Sequence, residues 1–413
     1  MFREVSRYED DPIEGMFVRL AADRSAERMD LGIGVYRDDS GEVPVFRAVR
    51  DAELRIVRRE GSKSYIGPLG NRDYCRAVER LVLGPEHAVP GNGHVISTQT
   101  GGAGSALRLG AELVRSLSPE SRVWVSNPVW PHQLEFFEKA NMRVMTYRYY
   151  DQFESAMQFD DMLDDLKGLR RDDLLLLHGC CHNPTGQDLD MDQWRAVSER
   201  VAEKGAVPFV DVAYQGFGRG IEEDVAGVRL MARQVPQMLL AVSSSKTFGI
   251  YRERAGMLSV LAAPGTVDAA NLRRRLRDIA RQLYFMPPDH GAAIVLEILS
   301  SPNLENLWRS ELDAMRLEIV RKRAMLREML EAEIGSFDAS FIERQLGMFS
   351  CLPISADEQR LMEDLFHIYM LPNARVNVAA MKSSDARTVA RAFRELRNRR
   401  TEDGLRRVGE AVG

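Results

Sequence analysis

The stretch Met238-Leu239-Leu240-Ala241-Val242-Ser243-Ser244-Ser245-Lys246-Thr247-Phe248-Gly249-Ile250-Tyr251-Arg252-Glu253-Arg254 sets an apolar run against a polar turn, and a second apolar run, Met257 to Ala262, follows it. A short, unbroken apolar run that ends in hydroxyls reads as a strand buried on both faces. A strand end carrying hydroxyls, one lysine, a glycine and two arginines suits an anionic cofactor. Hydroxyls and a guanidinium offer directed hydrogen bonds to phosphate, and a lysine amine can act as a nucleophile. Alone, the stretch reads more readily as a solvated turn with a surface lysine, so the flanking chain has to decide.

Outward from it, strand, turn and helix repeat between His94 and Gly249. Apolar runs at Val95–Thr98, Arg122–Val125, Leu174–Leu177, Val207–Val212 and Leu239–Val242 alternate with amphipathic segments at 105–116, 133–140 and 190–203. That alternation predicts an α/β domain with a mainly parallel sheet covered on both faces. Ligands of such sheets bind beyond the carboxyl ends of the strands, and the polar residues collect at those ends. Thr100-Gly101-Gly102-Ala103-Gly104-Ser105 opens a helix and has the glycines of an anion-binding turn, although its spacing is neither a dinucleotide fingerprint nor a Walker loop. Asn127-Pro128-Val129-Trp130-Pro131-His132 puts an indole past a strand end, for core packing or for stacking on a flat ring. In His178-Gly179-Cys180-Cys181-His182-Asn183-Pro184-Thr185-Gly186, Asn183 can donate to a ligand oxygen, while the two histidines lack a third metal ligand nearby and read as structural. Asp211 ends an apolar strand, where a carboxylate is costly unless a cation meets it; Tyr214 follows three residues on.

Residues 1–44 read as an arm followed by Leu31-Gly32-Ile33-Gly34-Val35-Tyr36, a run whose two glycines mark either a bulge or a backbone that something approaches closely. A helix near 46–60 precedes a loop with an isolated Tyr65. A long helical pattern, 302–333, suits a connector between two domains; beyond it short strands at Gly347–Leu352 and Arg375–Val378 mix with helices at 356–367 and 384–398. The expected division is an N-terminal arm with part of a small domain at 1–44, a large cofactor-binding domain at 45–314, and a C-terminal small α+β domain at 315–413.

The 413 residues are 45 % hydrophobic and 28 % charged with a net charge of −5, which gives no electrostatic reason to expect nucleic acid. The basic run Arg273-Arg274-Arg275 reads as a solvated helix face. Met1-Phe2-Arg3-Glu4 lacks a signal-peptide pattern and no apolar run approaches 18 residues, so no membrane partner is expected. Cys75, Cys180, Cys181 and Cys351 show no paired metal spacing; with Cys180 and Cys181 placed in an apolar strand, buried free thiols and a reducing cytoplasm are expected, with no metal.

The ordered set Asn183, Asp211, Tyr214, Lys246 and Arg254 resembles the aspartate and aromatic aminotransferases, the class I branch of fold-type I pyridoxal-phosphate enzymes, and the likeness runs from Leu31 to Val378. The resemblance implies a seven-stranded, mainly parallel large domain, a homodimer with shared active sites, and pyridoxal 5'-phosphate as cofactor. It also implies amino-group transfer between an L-amino acid (aspartate or glutamate, aromatic, or both) and a 2-oxo acid by a ping-pong aldimine and ketimine mechanism. On that resemblance Lys246 bonds the cofactor and shuttles the proton, Asp211 holds the pyridine nitrogen protonated, and Tyr214 and Asn183 bond the 3'-oxygen. Trp130 stacks on the ring. Ser243, Ser245 and Arg254 bind the phosphate with the backbone of Gly102, Ala103, Gly104 and Ser105, and Tyr65 reaches in from a partner subunit. Arg375 grips the substrate α-carboxylate, which Gly34 approaches; Trp130 and Asn183 also face substrate, and Arg281 matches the arginine that pairs with a side-chain carboxylate across the dimer.

Several positions depart from the family pattern. Phe285 and Met286 replace small polar residues, which favours an apolar or aromatic substrate side chain. Gln133 stands where a histidine backs the aspartate, with His132 one residue early, so either can take that role. Gly104 replaces a phosphate-binding threonine, which Ser105 or Ser245 would compensate, and Ser244 replaces a tyrosine. A specialised biosynthetic member fits this retuned pocket. The same cofactor on the same fold also supports β-decarboxylation, elimination or racemisation. A ligand-sensing regulator is disfavoured because no DNA-binding pattern accompanies the fold.

Overall fold

The computed structural model of the chain describes residues 11–85, 94–263, 265 and 268–412; Met1-Phe2-Arg3-Glu4 lie outside them. Its contacts divide the chain into two units, one of residues 44–150 and 157–317, the other of 1–43, 151–156 and 318–413. The short segment 151–156, which the sequence pattern leaves inside the large domain, belongs to the smaller unit, and the second boundary falls within the long helix Pro302–Glu333.

The larger unit is built on seven strands: β1 (His94–Thr100), β2 (Arg122–Asn127), β3 (Arg143–Arg148), β4 (Leu174–His178), β5 (Val207–Val212), β6 (Gln237–Ser243) and β7 (Gly256–Ala262). Their order across the sheet is β1-β7-β6-β5-β4-β2-β3. Neighbours from β6 through β3 are parallel, whereas β7 runs antiparallel to both β1 and β6. This is the mainly parallel α/β sheet that the alternation predicts. β3 escapes the sequence pattern because it is an edge strand with only one neighbour; only Tyr147 along it is buried, so no continuous apolar run betrays it.

The reversal of β7 decides the position of the site. A strand running against its neighbours begins where they end, so Gly256 pairs with both Thr100 and Ser243. Arg254, two residues earlier, thereby joins the carboxyl ends of the parallel strands. One face of the sheet is covered by a core that includes Ile96, Leu107, Val125, Leu176, Phe209 and Leu258. The helix Met191–Lys204 is set by its ends: Asp190 and Gln193 form a capping box and Gly205 closes it in the left-handed region. Its apolar face, Trp194, Val197 and Val201, is buried at three- and four-residue spacing. Arg273, Arg274 and Arg275 are exposed on Ala269–Leu283, as a solvated face requires.

In the smaller unit Met29–Asp30 pairs parallel with Ile368–Tyr369, and Phe349–Cys351 pairs antiparallel with Arg375–Asn377. Around these strands Leu31, Leu330, Ile342, Met362, Val376 and Phe393 share a core. The buried Arg323 donates to the carbonyls of Ile342, Gly347 and Phe349, satisfying backbone groups from the short helix Phe341–Arg344 to the start of the strand Phe349–Cys351. Leu31 to Tyr36 leaves regular structure after Asp30; Asn377 Nδ2 donates to the carbonyls of Ile33 and Val35. All four cysteines are free and buried. Cys180 and Cys181, however, lie in the turn after β4 and not in the strand, because β4 ends at His178. Among the described residues no helix is long and apolar enough to cross a membrane.

Candidate active site

The carboxyl ends of β1, β2, β4, β5 and β6 and the start of β7 carry the polar residues that the sequence singles out. His178 and Asp211 sit opposite one another in the β4–β5 register. Asp211 is 5 % exposed. Gln133 Nε2 donates to its Oδ2 at 2.9 Å. Gln133 Oε1 in turn lies 3.3 Å from His178 Nε2, and His178 Nδ1 accepts from the Asn183 backbone N–H. With Nδ1 accepting, the proton belongs on Nε2, so histidine, amide and carboxylate form one chain of donors ending on Asp211. Burial lowers the His178 pKa to about 4, which keeps that imidazole neutral. Gln133, fully buried, therefore takes the supporting role; His132 is half-buried with its ring 5.3 Å from Trp130.

Burial pushes the Asp211 carboxyl up to about 6, against the opposing pull of the nearby Lys246. Its Oδ1 is buried without a hydrogen-bond partner among the described residues. A buried carboxylate oxygen left in that state costs several kcal/mol until a cationic donor reaches it. A protonated pyridine nitrogen is such a donor. Lys246 is half-buried, and its Nζ stands 4.8 Å from the centre of the buried Tyr214 ring.

A second cluster, on the same sheet edge, is suited to phosphate. Arg254 donates through Nη1 to Ser245 Oγ at 3.3 Å and through Nη2 to the Gly101 carbonyl at 3.0 Å. The Ser245 N–H donates to Ser243 Oγ at 3.2 Å. The helix Ala103–Leu117 starts beside them with Gly102 as an N-cap that offers no side chain. Gly102 has φ +96°, and a Cβ there would meet Arg254 Nη2 at 2.5 Å, so glycine is what lets guanidinium and helix start approach. Hydroxyls, a guanidinium and a helix N-terminus together make an anion cradle. Arg254 itself holds φ +53°, a strain of order 1 kcal/mol that its hydrogen bonds offset. At Gly104 the Phe136 ring fills the space of a side chain, with Cζ 2.9 Å from a Cβ built there. Phe136 also packs edge-on against Trp130 at 6.2 Å. Orphaned carboxylate, adjacent lysine and anion cradle fit pyridoxal 5'-phosphate.

The remaining predicted residues stand in other groups. Tyr65 is 82 % exposed and its ring stands edge-to-face with Phe285, centres 6.3 Å apart, while the Ile66 N–H donates to Met286 Sδ. Arg281 lies exposed in the last turn of Ala269–Leu283, on the segment leading to Phe285. Gly34 and Arg375 belong to the smaller unit, where Arg375 Nη2 donates to the Gly32 carbonyl at 2.6 Å. Sequence reasoning reads His178 as merely structural and misses its hydrogen bond toward Gln133. It also misses Tyr74, whose hydroxyl lies 2.8 Å from Ser244 Oγ across 170 residues of chain. No local signal announces a pairing at that separation.

A family model described as aminotransferase class I and II matches residues 26–393. The chain belongs to that family. This aminotransferase is 40 % identical over 396 residues to a tyrosine aminotransferase of Rhizobium meliloti (strain 1021), covering 96 % of this chain and all of the relative. It is 38 % identical to an aspartate aminotransferase of Pseudomonas aeruginosa, covering 95 % of this chain and 98 % of the relative. Among solved structures, an aromatic-amino-acid aminotransferase from Burkholderia pseudomallei, covalently bound to pyridoxal phosphate, superposes with a TM-score of 0.91 at 37 % identity over 96 % of this chain and 99 % of that one.

Proposed function

We propose that this aminotransferase accepts L-amino acids with aromatic as well as dicarboxylic side chains, passes the amino group to a 2-oxo acid, and uses Lys246 as the residue that bonds the cofactor and moves the proton. Its cofactor is pyridoxal 5'-phosphate. The observation that carries the reading is Asp211, a buried carboxylate with one oxygen satisfied by Gln133 and the other unpartnered, beside Lys246. When bound, the cofactor supplies a carbonyl carbon for the amino group and a ring that takes up electron density.

The chain's own residues do the rest. Asp211 keeps a proton on the ring nitrogen, because an ion pair in a buried place favours the charged partners over the neutral ones. Lys246 Nζ would take the proton from the substrate α-carbon and deliver it to the cofactor's C4′ carbon, not back to the α-carbon. Its Nζ stands 4.8 Å from the centre of the Tyr214 ring. Tyr214 and Asn183 hold the ring oxygen, Trp130 covers the ring face, and Ser243, Ser245, Arg254 and the Gly102–Ser105 backbone anchor the phosphate. Arg375 binds the α-carboxylate through its planar fork and Gly34 lets that carboxylate approach.

Phe285 and Met286 favour an aromatic side chain by offering apolar area, and Arg281 offers a charge to a dicarboxylate. Curated relatives include both tyrosine and aspartate aminotransferases. Tyr65 and Phe285, exposed in the single chain, suit a homodimer in which each subunit completes the other's site. Four free, buried thiols fit a cytoplasmic protein.

The test is a half-reaction panel on the holoenzyme, following the absorbance of the aldehyde form with aspartate, glutamate, phenylalanine, tyrosine and tryptophan. Fast conversion by both acidic and aromatic donors is expected; conversion by glutamate alone would overturn the dual specificity.

A further inference from the structure

Phe349 is a buried phenylalanine, 1 % exposed, whose ring centre lies 4.0 Å from Cζ of the Arg375 guanidinium. Core phenylalanines ordinarily pack against apolar groups; here one face meets a cation that is itself 5 % exposed. A desolvated cation over an aromatic face is the strong form of this contact. The ring also reaches Gly34, where a Cβ would stand 3.3 Å from Phe349 Cζ. The phenylalanine is held in turn: its backbone pairs with Asn377 across the two-stranded sheet, and its carbonyl accepts from Arg323 Nη2 at 2.6 Å.

Two constraints therefore act on one guanidinium. The aromatic face, its centre 4.0 Å from Cζ, restrains tilt of the group, and the Gly32 carbonyl, accepting from Nη2 at 2.6 Å, restrains its rotation. Bidentate recognition of a carboxylate needs both to be fixed, since a fork that tilts or turns loses one of its two hydrogen bonds. We propose that Phe349 is a positioning residue for substrate α-carboxylate recognition, acting as the platform that orients Arg375 and spacing it from the Gly34 backbone. This rests on the reading of Arg375 as the α-carboxylate ligand.

The probe is 3-indolepropionate, an aromatic monocarboxylate, titrated calorimetrically into holoenzyme, with phenylalanine half-reactions run beside it. Phe349→Met keeps the volume and removes the ring; Phe349→Tyr keeps the ring. Phe349→Met is expected to raise the Kd for 3-indolepropionate and the KM for phenylalanine about tenfold. In that variant kcat and the rate of cofactor loss should hold within about threefold, a split that general loosening of the fold would not produce. Phe349→Tyr should bind within about twofold of wild type. Arg375→Lys separates the two ideas. If it weakens binding while Phe349→Met does not, the platform is refuted and the carboxylate reading stands; if Arg375→Lys itself leaves Kd unchanged, the carboxylate reading falls and the platform with it. Should Phe349→Met fail to fold, Phe349→Leu is the second ringless variant, judged by the same outcomes.

Discussion

The roles proposed for Lys246 and Asp211 rest on where the two are held. The lysine is half-buried against Tyr214, beside a carboxylate that burial has weakened as an acid. Replacing it in Lys246→Ala should lower transamination by about four orders of magnitude, the upper range for loss of a positioned proton carrier. Cofactor should still bind through the phosphate cradle, visible as absorbance retained after gel filtration. Substantial residual turnover would remove Lys246 from the mechanism. For Asp211 the folded pKa of about 6 exceeds the ordinary 3.8. The folded apoprotein thus holds a proton that the unfolded chain releases, so this group supports folding in acid and opposes it as pH rises from about 4 to about 6. Apo Asp211→Asn should be more stable than the apo wild type above pH ~6, by up to about 3 kcal/mol, with the gain vanishing below pH ~4. Asp188, also raised to about 6, is common to both proteins and cancels in the difference. Holoenzyme Asp211→Asn should show the reverse ranking, through loss of the ring-nitrogen partner.

Among the elements, the start of Ala103–Leu117 is closely hemmed in. Gly102→Ala would place a Cβ 2.5 Å from Arg254 Nη2 at φ +96°. It should displace the arginine and speed cofactor loss on dialysis against phosphate, with little effect on the far helices; cofactor retention equal to wild type would detach this turn from the cradle. The helix Met191–Lys204 offers a contrast. Asp190→Ala removes its capping box and should cost about 1 kcal/mol in thermal unfolding while leaving kcat unchanged. These two helices also show what local sequence can reveal. The amphipathic pattern marked 190–203 almost at its observed limits, and the structure adds the capping side chains at its start. The edge strand Arg143–Arg148, with a single neighbour and one buried residue, left no such trace. Similarly Cys180 and Cys181 extend the apolar run of Leu174–Leu177, yet Cys181 takes φ +51° and turns the chain. Hydropathy does not register that change in backbone direction.

For the whole molecule, the expectation is a dimer of 46.7 kDa chains. Leu54 and Val57 on Arg47–Arg59, together with Tyr65 and Phe285, leave large apolar groups in solvent in the single chain. Light scattering should give twice the chain mass. Mixing Lys246→Ala subunits with Arg281→Ala subunits should restore activity toward aspartate in the hybrid, because one of its two sites would then hold both wild-type residues. No recovery on mixing would place Arg281 outside the neighbouring site.

The family and the α/β class were legible because each depends on local order: apolar period, strand-end composition and the series Asn183, Asp211, Tyr214, Lys246, Arg254. What the tertiary structure alone decided are pairings across long stretches of chain. Gln133 and not His132 reaches Asp211, 78 residues away; an antiparallel β7 returns Arg254 to the ends of its parallel neighbours; and Phe349 lies on Arg375. Adjacent residues on a helix point in directions about 100° apart, so which of two neighbours faces a buried carboxylate follows from how the helix packs on the sheet.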